Sequence, residues 1–305
     1  MLNYVLKRLG LAVVTIFGVL LLIFVAARFS GDVTLLMLPQ DATDEMIAAF
    51  RERHGLDRPL PVQFLTFLQG MLSGDFGTSL RYQRPAIEVI FQRLPATLEL
   101  TLAAFGLAMV LGVTLGMLAA YFRGSVFDRV VRTLAVLLQS MPSFWIAIMA
   151  VLIFAVTLSW LPTSGRSGFV SLIMPAVTLA LFPLSAILRM TRSSILETIE
   201  SEYVKFLRIK GVSEGTILWR HALRNALIPV IALSGLQLGN MMGGAVITET
   251  IFNWPGLGSL MIESFMSRDY PVIQVGVLLI ATMLILLNLA VDLLFCLVDP
   301  RIRYA

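Results

Sequence analysis

The sequence predicts an all-α membrane protein with six transmembrane helices and a small helical cap on one side of the membrane. Of its 305 residues, 58% are hydrophobic and only 14% are charged, and the mean hydropathy is +0.87. These values are too apolar for an ordinary soluble domain. A spanning helix needs about 20 mostly apolar residues. Six segments meet this requirement, and they are residues 9–27, 94–121, 130–158, 172–190, 228–251 and 272–298.

The first apolar segment follows Lys7 and Arg8, as the core of a secretory signal would. A signal core has roughly 7–15 apolar residues, whereas this one is longer and lacks a good cleavage site. We therefore predict a retained transmembrane helix in residues 1–29. A loop in residues 30–93 and a five-helix core in residues 94–305 complete the predicted organisation.

Basic residues predict the orientation of the helices. Arginine and lysine are concentrated in the short segments on one side of the predicted spans, which is typical of the cytoplasmic side. The basic residues of the long loop are offset by acids, and long loops carry less weight in this rule. Both termini are therefore predicted to be cytoplasmic, and the basic residues need no nucleic-acid partner.

The loop between the first two spans is predicted to contain its own helices. Residues 42–51 indicate a short helix that starts at Thr43 or Asp44, because acids occupy its first turn. A second amphipathic stretch, 62–71, precedes a turn-rich patch at 73–79. This cap is either a contact surface for a delivery protein or a scaffold that braces the first two helices.

Polar residues inside the spans are few. The acids Glu99, Glu249 and Asp292 lie near span ends, where we expect their side chains to reach water. This placement argues against a proton or sodium relay and so disfavours a stand-alone secondary transporter or channel. Gln139 and Asn240 are uncharged and are candidate residues of a transport pathway.

Glycine and proline mark places where helices approach closely or bend. Small residues four positions apart allow close packing, either within this chain or against a second membrane subunit. Kinks or helix starts are expected at the prolines. The residues are Gly112, Gly116, Gly235, Gly239, Gly243, Pro142, Pro175 and Pro183. A turn rich in Gly and Pro, with a Trp, predicts a re-entrant or interfacial loop that closes the outer mouth of a pathway. Its candidate gate residues are Asn253, Trp254, Pro255 and Gly256.

The sequence has neither a phosphate-binding loop nor a zinc-protease motif. It lacks a Gly-Lys pair for the former and a His-Glu-x-x-His motif for the latter. Cys296 is the single cysteine, and His54 and His221 are predicted on opposite sides of the membrane. We therefore expect no enzyme activity, no metal site and no cofactor bound by this chain.

Residues 202–229 form a polar, basic segment between apolar spans. A helix is expected from Glu202 to Lys210, ending where Gly211 can adopt a positive φ. Ser213 is expected to cap a second short helix. Apolar residues such as Phe206 are mixed with the charges, which predicts either a docking surface or an interfacial segment.

The 202–229 segment resembles the EAA loop of ABC-importer permeases, since Glu202, Gly211 and Pro229 match its fixed points. Tyr203 and Val204 depart from the two alanines of that motif. Residues 210–214 and 220–229 are similar to the dipeptide/oligopeptide/nickel permease family. Further matches extend the resemblance to the whole chain, and they are residues 74–77, 94–97, 253–258, 268–271 and 299–303. The chain most resembles the first of two paired permeases, the kind with a long first extracytoplasmic loop.

This resemblance implies a type I ABC-importer permease fold in the bacterial inner membrane. It implies a homologous second permease, two cytoplasmic ATPases that bind ATP and Mg²⁺, and an extracytoplasmic solute-binding protein. The expected cargo is a dipeptide, oligopeptide or glutathione-like peptide, with nickel chelates or oligosaccharides as alternatives. The coupling loop would span about 193–228. The expected ATPase-coupling residues are Glu202, Tyr203, Val204, Phe206, Leu207, Lys210, Gly211, Val212, Ser213 and Pro229.

Overall fold

A computed structural model describes residues 2–29, 43–53, 55 and 57–298. Within these ranges the chain is helical, with an isolated bridge between Thr78 and Pro85. The chain divides into two compact units. The first comprises Met1–Leu94 and Leu260–Ile285, and the second comprises Pro95–Ser259 and Leu286–Ala305.

The first unit begins with helices α1 (Leu2–Phe29), α2 (Asp44–Arg53) and α3 (Leu60–Ser73). Helix α2 confirms the short helix expected at 42–51. Thr43 caps it, since its hydroxyl accepts a hydrogen bond from the amide of Met46 at 3.4 Å. Helix α3 ends at Gly74, whose φ of 81° lies in the left-handed region that favours glycine.

Aromatic contacts hold α3 against α1. The ring of Phe64 lies 5.8 Å from that of Phe17 and 5.2 Å from that of Phe24, both edge-on. Phe67 adds a third contact with Phe24 at 5.9 Å. Such aromatic pairs contribute beyond the area they bury. The cap therefore braces α1. This agrees with the scaffold role, one of the two alternatives that the sequence left open for this loop.

The remaining helices include three that continue across the division between the units: α4 (Ala86–Tyr121), α11 (Leu257–Met266) and α12 (Tyr270–Val298). The second unit holds α5 (Val126–Ser140), α6 (Ser143–Ala150), α7 (Phe169–Ile199), α8 (Glu202–Ile209), α9 (Glu214–Thr216) and α10 (Leu223–Ile251). Two π-helical stretches continue their helices without a break. Val151–Thr157 extends α6, and Ile217–Ala222 joins α9 to α10.

Helix α7 forms the centre of the second unit and is buried along most of its length. It packs against α5, α6 and α10. Two glycines of α4, Gly112 and Gly116, also face it. A Cβ on Gly112 would lie 2.8 Å from the Ile187 side chain, and one on Gly116 would lie 2.6 Å from the carbonyl oxygen of Leu188. This glycine pair therefore serves packing within the chain. Gly235 likewise packs against Val291, whereas Gly243 has open space around it.

The all-α membrane fold is confirmed by four helices that are long and apolar enough to cross a membrane. They are Ala86–Tyr121, Phe169–Ile199, Glu214–Ile251 and Tyr270–Val291. The bent pair α5 and α6 forms a fifth candidate, and α1 contributes the shorter apolar helix Gly10–Ala26. The predicted total of six spans stays a prediction.

The span predicted at 130–158 is not one straight helix. Helices α5 and α6 meet at an angle of 104°. Met141 is extended (φ −84°, ψ 134°) and Pro142 precedes the first residue of α6. The break follows from proline chemistry, because Pro142 has no N–H and disfavours helical geometry in the residue before it. By contrast, Pro175 and Pro183 lie inside the unbroken helix α7.

Candidate functional site

Helix α8 is closed at both ends by short-range hydrogen bonds. The Ser201 hydroxyl caps its start by accepting from the amide of Val204 at 3.4 Å. At its end, the amide of Gly211 donates to the carbonyl of Arg208 at 2.9 Å and the amide of Val212 donates to that of Leu207 at 3.1 Å. This is a Schellman arrangement, and it requires the left-handed φ of +77° found at Gly211. The helix and its glycine stop are therefore as expected.

Side chains tie α8 to the residues that follow it. Ser213 caps α9 by accepting from the amide of Thr216. The Arg208 guanidinium donates to both carboxylate oxygens of Glu214, at 2.7 and 3.1 Å. This pairing raises the pKa of Arg208 above its ordinary value. The Tyr203 hydroxyl hydrogen-bonds Nδ1 of His221 at 2.7 Å. Tyr203 is the first residue that departs from the EAA motif, and its hydroxyl thus links α8 to the π-helical stretch that contains His221.

The second short helix does not end before the membrane helix. It continues through the π-helical residues Ile217–Ala222 directly into α10. Pro229 consequently lies inside α10 rather than in a loop. A force applied to the 202–229 segment would therefore act on a continuous helix of 38 residues, Glu214–Ile251.

Apolar side chains of the 202–229 segment divide into an inner and an outer set. Val204 is fully buried, and Ile217 and Leu218 are buried with it. The outer set is exposed in this chain and consists of Tyr203, Phe206, Ile209 and Trp219, with Ile209 83% exposed. The ammonium group of Lys210 lies 4.5 Å from the centre of the Phe206 ring. An apolar surface on a rigid, charged segment is typical of a docking site.

The other predicted coupling residues belong to the same small region. Glu202 is the first residue of α8 and pairs with Lys205 at 2.7 Å, with both side chains exposed. Leu207 and Val212 are half-buried beside the helix stop. The sequence also indicated Ile209 as part of the docking surface, but it did not single out Trp219 as a site residue. The exposure of Trp219 was not visible from periodicity, since basic and apolar residues alternate irregularly here.

A cleft of about 470 Å³ lies between α5, α6, α7 and α10. It brings together Gln139 and Asn240, the two predicted pathway residues, and adds Gln237 and Ser143. The amide of Asn240 donates to the side-chain oxygen of Gln237 at 3.4 Å. Among the described residues that line the cleft, none is charged. The cleft therefore offers amide and hydroxyl groups without a fixed charge.

A second cleft of about 380 Å³ on α6 is lined almost entirely by apolar side chains, including Trp145, Met149 and Phe154. It offers a polar solute almost no hydrogen-bonding partners. Gln237, which faces the polar cleft, was missed at the sequence level. Its spacing of three residues from Asn240 on one helix face could have revealed it.

The predicted outer gate has a different environment from the polar cleft. Trp254 is fully buried, and its indole N–H donates to the carbonyl of Ala96 at 2.8 Å. Asn253 has a φ of 46°, and Pro255 and Gly256 complete the tight turn. Within the described part of the chain, none of these residues lines the cleft that contains Gln139. A role for the turn in closing a pathway stays a prediction.

The expectation that Glu249 reaches water is wrong, because its side chain is fully buried. Its carboxylate accepts from the Thr97 hydroxyl at 2.6 Å and from the amide of Ser259 at 3.0 Å. The amide of Leu257 donates to the same Thr97 oxygen at 2.7 Å. Burial is possible because these donors replace water. Glu99, in contrast, is partly exposed and pairs with Arg166 at 2.6 Å, and the side chain of Asp292 lies outside the described residues.

The first unit joins two other motifs in the same way. The carboxylate of Asp269 is fully buried and accepts from the Ser79 hydroxyl at 2.5 Å. It also accepts from the amides of Leu80 and Arg81, at 3.1 and 3.3 Å. Residues 268–271 thereby fix the loop that follows residues 74–77. In each unit, a buried carboxylate therefore connects segments that are distant in the sequence, and this contact is structural rather than part of a binding site.

Comparison with known families matches both parts of the sequence. Residues 112–304 match the family described as "Binding-protein-dependent transport system inner membrane component". Residues 1–101 match the corresponding family of N-terminal regions of such membrane components.

Curated relatives align with the chain over its full length. The dipeptide transport system permease protein of Alkalihalophilus pseudofirmus is 39% identical, with 100% of both chains covered. The di/tripeptide transport system permease protein of Pseudomonas aeruginosa is 41% identical, covering 100% of this chain and 99% of that one. The glutathione transport system permease protein of Salmonella typhi is 43% identical, with 100% of both chains covered.

Among solved structures, a chain of the MetNI methionine ABC transporter in inward-facing conformations superposes with a TM-score of 0.60. The match covers 70% of this chain and 98% of that one at 19% identity, so it bears on the fold. The chain is a multi-pass inner-membrane permease and belongs to the binding-protein-dependent transport system inner membrane components of ABC importers.

Proposed function

We propose that this chain is one of two permeases in an ATP-driven importer of peptides. It has both termini in the cytoplasm, and it pairs with a homologous second permease. The 202–229 segment faces the cytoplasm and docks on an ATPase, and the cap faces a solute-binding protein. The observation that carries the proposal is the rigid 202–229 segment with its exposed apolar surface of Phe206, Ile209 and Trp219.

Energy for import comes from partner subunits in this proposal. The sequence has no phosphate-binding loop, so ATP and Mg²⁺ are bound by two cytoplasmic ATPases. Movement of an ATPase displaces α8, and the continuous helix Glu214–Ile251 carries that displacement to the part of α10 that bears Gln237 and Asn240. The permease thereby converts a cytoplasmic movement into a change in the cleft.

Peptide cargo is supported by the relatives and by the chemistry of the cleft. The relatives are named for dipeptides, di/tripeptides and glutathione. Amide side chains such as Gln139 and Asn240 can both donate and accept hydrogen bonds, as peptide groups do. A pathway without fixed charge does not trap a zwitterionic solute. Nickel chelates and oligosaccharides are alternative cargoes for the same architecture.

The docking assignment is tested with Phe206→Asp and Ile209→Asp. Each variant places a carboxylate on the exposed apolar surface, so we expect the ATPases to be lost when the chain is affinity-purified with its partner subunits. Leu72→Asp is the matched control, because Leu72 is 89% exposed but lies on the cap helix α3. Full retention of the ATPases by both test variants would contradict docking at this surface.

The pathway assignment is tested with Asn240→Ala. Peptide uptake should fall while the complex still assembles, because the variant removes an amide from the cleft. Asn288→Ala is the control, since it removes the same group from α12, outside the cleft. Equal uptake by Asn240→Ala and native complexes would contradict a pathway through this cleft.

A further inference from the structure

We propose that Asp128 and Arg192 form a mechanical link between the coupling segment and the cleft. Through this link, movement of α8 reaches α5, the helix that carries Gln139. The inference rests on the proposed function, and it adds a second transmission route beside α10. In this role Asp128 and Arg192 are positioning residues, since neither lines the polar cleft among the residues described.

Asp128 is a buried carboxylate that two arginines and a backbone amide contact. Its side chain is 1% exposed, and that of Arg192 is 17% exposed. Arg192 donates from Nε to Oδ1 at 2.7 Å and from Nη2 to Oδ2 at 3.0 Å. Arg132 lies 3.2 Å from Oδ1, and the amide of Gly124 donates to Oδ2 at 3.0 Å. Both carboxylate oxygens are therefore held in a fixed geometry.

A bidentate arginine–carboxylate pair resists both rotation and separation of the two side chains. Removing one partner of a buried pair leaves the other charge without compensation, so the link is hard to open. The remaining buried contacts of α5 are the small side chains Val131 and Ala135. The ion pair is thus the strong directional contact that joins α5 to α7.

On the α7 side, the link lies close to the coupling helix. Arg192 is followed by two turns of α7, which ends at Ile199, and Ser201 then caps α8. A displacement of α8 consequently acts on Arg192 through a short and largely helical connection. The pair Arg123–Glu200 lies in the same region, but both of its side chains are exposed, so it contributes little to this connection.

On the α5 side, the helix itself carries the movement from Asp128 to Gln139. Asp128 is in its first turn, and Gln139 lies eleven residues later, about 16 Å along the axis at 1.5 Å per residue. The helix stops at Ser140, where extended Met141 and Pro142 produce the 104° bend into α6. A displacement of Asp128 along the axis of α5 is therefore carried by the helix to Gln139, next to this bend.

The test measures ATP hydrolysed per peptide imported, with the complete complex in proteoliposomes and a labelled dipeptide as the probe. Asp128→Asn removes the charge at constant size, and Arg192→Lys keeps the charge but loses the two-pronged geometry. We expect this ratio to rise at least about fivefold in both variants, the lower end of usual coupling between sites. A purely structural role would lower uptake and hydrolysis together and leave the ratio unchanged.

Arg123→Gln is the matched control, because its ion pair is exposed and contributes little, and its ratio should equal the native one. An unchanged ratio in both test variants overturns the link. Failure of both variants to assemble also overturns it, since the pair would then serve folding alone. If the native complex itself imports no dipeptide, the proposed peptide cargo fails instead, independently of the link.

Discussion

Thr97 is the residue that best illustrates how single side chains hold this permease together. Its hydroxyl donates to the buried Glu249 carboxylate and accepts from the amide of Leu257. One oxygen thereby satisfies two buried groups from different parts of the sequence. Asp269 does the same in the first unit for Ser79 and the two amides that follow it.

Thr97→Val is expected to destabilise the protein by about 1–3 kcal/mol, because the buried Leu257 amide loses its acceptor and Glu249 loses a donor. Valine has nearly the shape of threonine, so packing changes little. Thermal unfolding of the purified protein in detergent measures the effect. Thr97→Ser keeps the hydroxyl and should lie much closer to the native protein. Equal transition temperatures for the valine and serine variants would contradict this account.

Gly116→Ala tests the close approach of α4 to α7. The added Cβ would lie 2.6 Å from the carbonyl oxygen of Leu188 and 2.8 Å from Cβ of Thr191, so the helices must separate. We expect a loss of about 1–3 kcal/mol, as for overpacked cores. Gly106→Ala on the same helix has open space and should be neutral or slightly stabilising. A native transition temperature for Gly116→Ala would show that the contact is not tight.

At the scale of elements, helix α8 depends on its glycine stop. Gly211 adopts a φ of +77°, which costs about 1–2 kcal/mol for a residue with a Cβ. Gly211→Ala should therefore loosen the end of α8 and weaken association with the ATPases in co-purification. Gly215→Ala, four residues later, meets open space and is the matched control. The assignment is wrong if both variants retain the ATPases equally.

Much of this element could be predicted from the sequence because its signals are local. The helix start, the glycine stop and the Ser213 cap each depend on a few neighbouring residues. The break at Pro142 was expected only as a kink or a helix start, since the size of a bend depends on what surrounds it. The π-helical junction Ile217–Ala222 left no recognisable signal, so the second helix was expected to be short.

Contacts between residues far apart in the sequence could not be predicted from the sequence. An acid at a span end is equally compatible with water or with a buried partner, and Glu249 proves to be buried against Thr97, 152 positions earlier. Asp128 likewise resembles an ordinary acid in a first helical turn, although it pairs with Arg192. Gln139 and Asn240 were predicted from polarity alone, and the cleft brings them together.

At the scale of the whole molecule, the proposed function makes this permease a transmitter of movement that is driven by partner ATPases. The proposed docking surface, continuous α10 and the buried Asp128–Arg192 pair all lie in the second unit, which also holds the polar cleft. The proposed importer therefore needs ATPases to act on the 202–229 segment. It also needs a binding protein to deliver the peptide.

Reconstituted peptide uptake tests the central claim most directly. The chain, its neighbouring permease and their ATPases are placed in proteoliposomes with the ATPases and ATP inside. The binding protein and a labelled dipeptide are supplied outside. We predict uptake that requires ATP, the ATPases and the binding protein together. Uptake of the dipeptide by this chain alone, with no ATPase present, would contradict the account.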